Sequence, residues 1–345
     1  MASVPRGEFE LIAAFRERLD RAGAAAAPDL LVGSGDDASV SELTDRGLAV
    51  SVDALVEDVH FRRASFPPRS IGHKALAAAL SDLAAMGARP RHAYVQLGLP
   101  TDLDDAQCLE IADGLAALAA RHEVAVAGGD VTRAAILFLA VTVVGSAPEA
   151  SELVGRNGAR PGDLLVLSGE LGGAAAGLRL LEQPALADRL DSATASALRA
   201  RQLEPEPRVD AGRALARAGA QAMIDLSDGL GADAAHLAGA GGVELRIDLD
   251  RVPVQAGVAE LARANGEQPA ELVVAGGEDY ELLAVLAGEA FESARAALVE
   301  AGVDLSAIGE VTVGEGVAFS GSGGLRSPVA GFDQLRPPRG RGERS

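Results

Sequence analysis

The stretch Ala222-Met223-Ile224-Asp225-Leu226-Ser227-Asp228-Gly229-Leu230 passes from an apolar run, through an acidic turn, into a segment with helical periodicity. The apolar run predicts a buried strand, and the segment from Gly229 to Ala238 predicts a helix. Both halves of the chain share this order of strand, acidic turn and helix, although no internal sequence repeat can be demonstrated. The order predicts an α/β fold with acidic side chains at strand ends, where α/β sheets bind ligands.

Strands and helices alternate along both halves of the chain. Helices are predicted at 8–22, 71–86, 104–121, 173–181 and 229–238, and strands at 48–52, 93–97, 124–127, 136–144, 164–167, 222–224, 245–249 and 280–285. The pattern pauses near Ala147-Pro148-Glu149 and resumes after a turn at 158–163. We therefore expect two domains, 1–148 and 149–335, followed by a disordered tail at 336–345 that is rich in arginine.

The composition limits the partners that the chain can bind. A formal net charge of -19 argues against a nucleic acid or an anionic membrane, because both require a basic surface. No apolar run reaches the length needed to span a membrane. The single cysteine, Cys108, lies on a predicted amphipathic helix, where we expect it to be buried and inert. One cysteine excludes an intrachain disulfide framework and predicts a cytoplasmic protein.

Six short acidic motifs hold Asp or Glu against glycine or small apolar residues. They are Gly35-Asp36-Asp37, Ser51-Val52-Asp53, Leu80-Ser81-Asp82, Gly128-Gly129-Asp130, the segment Ile224 to Gly229, and Gly276-Gly277-Glu278-Asp279. Singly, each also fits an ordinary structural role: a turn, a loop-capping carboxylate at Asp82, or a helix N-cap at Ser227. Lysine occurs only once, as Lys74, so few cations are available to pair with these carboxylates.

Together, the motifs predict carboxylates that converge on several Mg²⁺ ions. Carboxylates repel phosphate groups, so the metal ions must come between them, as in phosphoryl transfer. The chain has no P-loop sequence, and Ser168-Gly169-Glu170-Leu171-Gly172-Gly173 does not have the spacing of a dinucleotide-binding fingerprint.

The motif set resembles that of the bacterial thiamine-monophosphate kinases. It comprises GDDASV (35–40), SVDALVEDVHF (51–61), LSDLAAMGA (80–88), GGDVTR (128–133), IDLSDGL (224–230) and GGEDYEL (276–282). That family belongs to the superfamily of aminoimidazole ribonucleotide synthetase and selenophosphate synthetase. The resemblance implies a two-domain α/β (α+β) fold like that of aminoimidazole ribonucleotide synthetase, with an N-terminal sheet domain that forms a homodimer and a C-terminal α/β domain. It also implies transfer of the ATP γ-phosphoryl group to thiamine monophosphate.

The resemblance further implies a set of site residues. Magnesium ligands are expected at Asp37, Ser51, Val52, Asp53, Asp82, Asp130, Asp225 and Asp228, nucleotide contacts at Gly129, Asp130, Arg156 and Ser227, and acceptor contacts at His60, Glu278 and Phe332. The family usually has Thr where Val52 stands, so only a backbone contact can survive there. No general base is assigned, because the acceptor phosphate is already ionised at neutral pH.

The acceptor contacts and the function each have alternatives. His60 also fits the role of a structural histidine, Glu278 that of the cap of a turn, and Phe332 that of an anchor for the C-terminal segment. The alternative functions are another ATP-dependent enzyme of the superfamily and a non-catalytic nucleotide-binding scaffold.

Overall fold

The structure is a computed structural model that describes residues 8–34, 38–42 and 44–321. Two predicted site residues, Asp37 and Phe332, and the predicted tail at 336–345 lie outside the described residues.

The described residues form helices and strands that are interspersed along the chain. The helices are α1 (Glu8–Ala22), α2 (Pro68–Ala85), α3 (Asp105–Arg121), α4 (Gly173–Glu182), α5 (Ser192–Leu203), α6 (Val209–Arg217), α7 (Leu230–Gly241), α8 (Val258–Ala264), α9 (Pro269–Val274) and α10 (Phe291–Glu300). The strands are β1 (Leu30–Val32), β2 (Val40–Ser41), β3 (Gly47–Val56), β4 (Arg89–Leu99), β5 (Ala125–Arg133), β6 (Phe138–Ala147), β7 (Leu164–Ser168), β8 (Ala222–Asp225), β9 (Glu244–Asp248), β10 (Leu282–Leu286), β11 (Leu305–Thr312) and β12 (Gly316–Ser320).

The first half of the chain contains a four-stranded sheet in the order β3-β6-β4-β5. The pairs β3/β6 and β6/β4 are antiparallel, whereas β4/β5 is parallel and is connected through helix α3. Exposed and less exposed residues alternate along β3, as expected for a sheet that is packed on only one face. Helices α2 and α3 pack together in this half, and α2 contacts β3 and β6.

The second half contains a six-stranded sheet in the order β12-β9-β11-β7-β10-β8. All neighbouring pairs are antiparallel except β12/β9. The central strands β7 and β10 are apolar and almost wholly buried, because helices cover this part of the sheet. The predicted fold class, with one sheet-and-helix unit in each half of the chain, is confirmed.

Helix α2 is buried on nearly every side, since it contacts α3 in the first half and α6 and β8 in the second. Glycines let the neighbouring backbones approach it closely. A Cβ atom on Gly72 would lie 1.9 Å from the carbonyl oxygen of Ile111, and one on Gly212 of α6 would lie 2.0 Å from that of Ala84. Because α2 contacts both halves, its polar side chains can reach a site built from both.

Candidate active site

A cavity of about 520 Å³ is lined by residues from both halves of the chain. The first half contributes the end of β3 and the segment that follows it, and the second half contributes helix α4 and the turns that precede α7 and β10. Five of the predicted site residues line this cavity: Asp53, His60, Ser227, Asp228 and Glu278.

Serine hydroxyls orient two of the predicted aspartates. Ser51 and Asp53 lie on the same face of β3, and the Ser51 hydroxyl donates a short hydrogen bond to the Asp82 carboxylate of α2. One residue earlier on α2, Ser81 Oγ donates to Asp225 Oδ2 over 2.7 Å. Ser81 and Asp225 are both buried. Ser81 was not predicted as a site residue, although it sits beside Asp82 in the Leu80-Ser81-Asp82 motif.

The carboxylates of this site are close enough to affect one another. Burial raises the pKa of Asp53 to about 6, and the nearby charges of Asp82, Glu278 and Asp228 add to this rise. Burial also raises the pKa of Asp225 to about 7, with a further contribution from Asp82. The ionised carboxylates of the cluster therefore repel one another.

The Arg156 guanidinium is a positive charge near Asp82 and Asp225. The side chain is exposed, and its charge counteracts the rise in pKa that burial causes at Asp82 and Asp225. Arg156 therefore lies within electrostatic range of two predicted metal ligands, where it can also attract a phosphate group.

The pKa of Asp225 leads to a testable prediction on stability. Its folded value of about 7 lies above its ordinary value of 3.8, so the folded protein loses stability as the pH rises through this range. Asp225→Asn should remove this loss. In chelator, we expect the variant to be more stable than the parent chain at pH 8, by up to about 4 kcal/mol, and the difference to shrink toward pH 5.

Urea unfolding at several pH values measures this difference. Asp191→Asn is the control, because hydrogen bonds from Thr194 lower the pKa of the exposed Asp191, so its effect should not change between pH 5 and 8. A stability difference for Asp225→Asn that does not depend on pH would contradict the prediction.

Two turns of the second half pack together at the cavity. The amide of Glu278 donates to the carbonyl of Ser227 over 2.9 Å, and a Cβ atom on Gly277 would lie only 2.3 Å from that carbonyl oxygen. Glu278 itself has a φ of 71°, which is uncommon for a residue other than glycine. This contact holds Glu278 beside Asp228.

The alternative role of Ser227, as the N-cap of a helix, is not found in the structure. The residue that precedes α7 is Gly229, and no side chain at that position caps the helix. Instead, the Asp233 carboxylate accepts the amides of Asp228 and Gly229, both at 3.0 Å. These two amides are therefore occupied by a side chain of α7 and are not free to bind phosphate.

His60 follows β3 and has a defined tautomer. Its Nδ1 accepts a hydrogen bond from the amide of Val56 over 3.0 Å, so the proton of the neutral ring is on Nε2. Burial lowers the pKa of His60, which favours the neutral ring. The ring can therefore offer a hydrogen-bond donor but not a general base.

Several acidic residues are paired with cations, contrary to the expectation from the low lysine content. Lys74 Nζ lies 2.8 Å from Glu278 Oε1. Arg208 forms two hydrogen bonds to the fully buried Glu281, and Arg201 also contacts this carboxylate. Asp279 accepts the amides at the start of α4, and Arg201 Nε lies 3.9 Å from its Oδ1. Of the carboxylates in the segment Glu278 to Glu281, therefore, only that of Glu278 lines the cavity.

Gly129 and Asp130 are not brought to this cluster within one chain. Asp53 on β3 and Gly129 on β5 are separated by the strands β6 and β4, which corresponds to about 14 Å. In the strand register, Asp130 pairs with Gln96 of β4 and lies in line with Ala54 of β3. These residues are on the exposed face of the sheet, whereas Asp53 is on the opposite face. Val52 lies on that exposed face too, so its side chain points away from those of Ser51 and Asp53.

A second, smaller cavity of about 80 Å³ adjoins Gly129 and Asp130. Its walls are mostly apolar side chains of α1, α3, β4 and β5. Cys108 of α3 is buried, and burial raises the pKa of its thiol to about 11, in agreement with the predicted inert role.

Comparison with known proteins identifies the family. The model of the AIR synthase related protein matches with its N-terminal domain at residues 35–147 and with its C-terminal domain at residues 160–321. The thiamine-monophosphate kinase of Escherichia coli K12 is 35% identical over 341 residues, which cover 96% of this chain and 99% of that protein. The chain belongs to the thiamine-monophosphate kinase family.

Solved structures of the thiamine-monophosphate kinase family have the same fold. The crystal structure of the Stenotrophomonas maltophilia K279a enzyme has a TM-score of 0.81 and 36% identity, covering 90% of this chain and 96% of that one. A structure of AaThiL complexed with AMPPCP and TMP has a TM-score of 0.74 and 31% identity, covering 96% and 99%. Among the residues that the structure describes, no helix is both long and apolar enough to cross a membrane.

Proposed function

We propose that this chain transfers the γ-phosphoryl group of ATP to thiamine monophosphate and so forms thiamine diphosphate. The observation that carries this function is the cavity that Asp53 and Asp228 share with His60 and Glu278. Asp53 and Asp228 suit metal-bound phosphates, and His60 and Glu278 suit an organic acceptor. A relative with 31% identity has been solved with AMPPCP and TMP together, which supports two substrates in one site.

We further propose that Mg²⁺ ions bind the carboxylates of Asp53, Asp82, Asp225 and Asp228. The donor set fits: the serine bonds occupy one oxygen each of Asp82 and Asp225, and the raised pKa values of Asp53 and Asp225 reflect a need for positive charge. Among the described residues, no three His, Cys, Asp or Glu side chains could hold one ion together. Mg²⁺ tolerates this, because it commonly uses one or two carboxylates plus water and substrate phosphates. When bound there, such ions would neutralise charge on the transferred phosphate.

The protein side chains position the reactants, which is the main requirement for phosphoryl transfer. The exposed guanidinium of Arg156 can bind a phosphate oxygen near Asp82. The His60 Nε2–H can donate to the acceptor phosphate, and Glu278 can accept from the organic part of the acceptor. The acceptor phosphate is itself the nucleophile, so no general base is required.

An assay of ATP consumption tests this function. ATP should be consumed only when thiamine monophosphate is added, and chromatography should show thiamine diphosphate as the product. ATP consumption that does not depend on this acceptor, or ATP binding without turnover, would favour a different enzyme of the superfamily or a nucleotide-binding scaffold.

We propose that the active form is a homodimer in which the four-stranded sheets pair through their exposed faces. Leu48, Val50 and Val52 alternate along β3 and are 52%, 57% and 65% exposed, although they are apolar. A row of exposed apolar side chains on an uncovered sheet favours burial against a partner. Asp130 lies on the same face as these residues. Pairing of the sheets would let Gly129 and Asp130 serve a site shared with the second copy.

Val50→Asp should disrupt this dimer, because it would bury an unpaired charge in the interface. We expect light scattering to show a monomer and the assay to show a loss of turnover. Val299→Asp on α10 is the matched control, because Val299 is 58% exposed on the other half of the chain. A Val50→Asp protein that keeps both the dimer mass and normal turnover would contradict the proposed interface.

Two expectations from the sequence complete the proposal. The domain boundaries are proposed at 1–148 and 149–335, which separates the strands of the two sheets. A cytoplasmic location is proposed from the single, buried cysteine.

A further inference from the structure

The only lysine of the chain is buried behind the acceptor side of the cavity. Lys74 lies on α2 and is 0% exposed. Its Nζ is 2.8 Å from Glu278 Oε1 and 5.2 Å from the centre of the Phe66 ring. Among the described residues, Nζ has no hydrogen-bond acceptor beyond this ion pair. Glu278 and Phe66 line the cavity, whereas Lys74 does not. The ammonium group therefore acts through the cavity wall and does not itself touch a ligand.

The Glu278 carboxylate is fixed from two sides. Its Oε1 faces Lys74, and its Oε2 accepts a hydrogen bond of 2.7 Å from Nε2 of Gln202. The Glu278 side chain is 25% exposed, so part of the carboxylate still reaches the cavity. The backbone bond to Ser227 fixes the other end of the residue. Both oxygens have a partner, yet each carboxylate oxygen retains lone pairs for a ligand.

A purely structural role does not explain the buried ion pair. An ammonium group with no exposure loses its hydration, and an apolar side chain of similar volume would often stabilise the fold equally well or better. Glu278 lines the same cavity as the carboxylates of Asp53 and Asp228. Without Lys74, the Glu278 carboxylate would be repelled by these like charges and would turn away.

We propose that Lys74 is a positioning residue for the phosphoryl acceptor: it holds Glu278 at the cavity wall and neutralises its charge. This inference rests on the proposed function and deepens it. The Lys74–Glu278 pair has no net charge, so Glu278 serves as a fixed hydrogen-bond acceptor more than as a counter-ion for the thiazolium ring. A carboxylate without a cation partner would instead attract the thiazolium ring electrostatically.

A double-mutant cycle tests this role. The variants are Lys74→Met, Glu278→Gln and the double substitution, each measured for kcat and for the KM of both substrates. We expect Lys74→Met and Glu278→Gln each to raise the KM for thiamine monophosphate about tenfold or more, with the KM for ATP changed by less than about twofold. Because Lys74 acts through Glu278, the KM of the double variant for thiamine monophosphate should be no higher than that of the more impaired single variant. Losses that multiply in the double variant would overturn the inference.

Further variants separate positioning from stability. Gln202→Met removes the other hydrogen bond to Glu278 and should also raise the KM for thiamine monophosphate. If Lys74→Met does not fold, Gln202→Met is the deciding variant, and an unchanged KM for this acceptor would overturn the inference. His73→Gln is the control on the neighbouring residue of α2, because the His73 ring contacts the carbonyl of Pro205 and not Glu278. It should lower the unfolding temperature without changing the KM for the acceptor.

The parent chain in the same assay distinguishes the two levels of the proposal. If the parent chain does not phosphorylate thiamine monophosphate, the proposed function fails. If the parent chain is active and Lys74→Met has the parental KM for the acceptor, only the role of Lys74 fails.

Discussion

Asp82→Asn should abolish phosphoryl transfer while the chain remains folded. The substitution keeps the size of the side chain and can keep an oxygen for the hydrogen bond from Ser51, but it removes the negative charge that a magnesium ligand supplies. We expect kcat to fall by about three orders of magnitude or more at saturating substrates, because the metal ions provide most of the charge stabilisation in such a site.

The same substitution should not destabilise the protein in the absence of metal. Burial raises the pKa of Asp82, so the ionised carboxylate is unfavourable in the folded state. Thermal unfolding in chelator should therefore show an equal or higher midpoint for Asp82→Asn. Asp210→Asn, at an exposed position on α6, is the control with parental activity. Near-normal turnover of Asp82→Asn at saturating Mg²⁺ would contradict the assignment of Asp82 as a ligand.

The elements with strong periodicity were predictable from the sequence. Helix α1 has the predicted bounds, and α2 and α3 begin and end within a few residues of their predicted limits. The strand predicted at 48–52 extends to Val56, because residues beyond Asp53 continue to pair with β6. Local patterns identify such elements because their apolar faces are regular.

Other elements were not predicted, because their sequences carry weaker signals. Helices α5 and α6 lie in a segment rich in Ala and Arg, and α8 and α9 are short. Strands β11 and β12 contain glycine and pair with β9, a strand far away in the sequence. Tertiary pairing determines these elements more than local propensity does.

The residues of the site were also only partly predictable from the sequence. The sequence motifs led to Asp53, His60, Asp228 and Glu278, which meet at one cavity. The motif with Asp130 did not join them within one chain, because the sheet register places that side chain on the opposite face. A sequence motif gives the residue type that the chemistry needs, but strand register determines which face of the sheet the side chain occupies.

The positioning residues were missed for a different reason. Ser81 and Gln202 have neutral side chains, which give no signal in a search for carboxylates. Lys74 did carry a signal: it is the only lysine, and it precedes Ala78 and Asp82 at intervals of four residues on one apolar helix. A charged residue on the same helical face as a predicted metal ligand indicates a buried partner in the site.

The second large effect concerns the acceptor: thiamine monophosphate should be phosphorylated, whereas free thiamine should be turned over at least about a thousandfold more slowly. The phosphate of the correct acceptor is ionised at neutral pH and can complete the coordination of the metal ions. A free hydroxyl would need a general base. His60 cannot provide one, because its Nδ1 accepts the Val56 amide and its neutral ring carries the proton on Nε2.

Labelled ATP distinguishes direct transfer from a phosphorylated enzyme. With γ-labelled ATP alone, the protein should remain unlabelled, because the proposed role of the aspartates at the cavity is metal binding and the neutral His60 ring carries its proton on Nε2. Addition of thiamine monophosphate should move the label into thiamine diphosphate. A label on Asp or His would contradict direct transfer. Equal turnover of free thiamine would contradict the predicted acceptor specificity, because it would require a base that this arrangement of His60 does not provide.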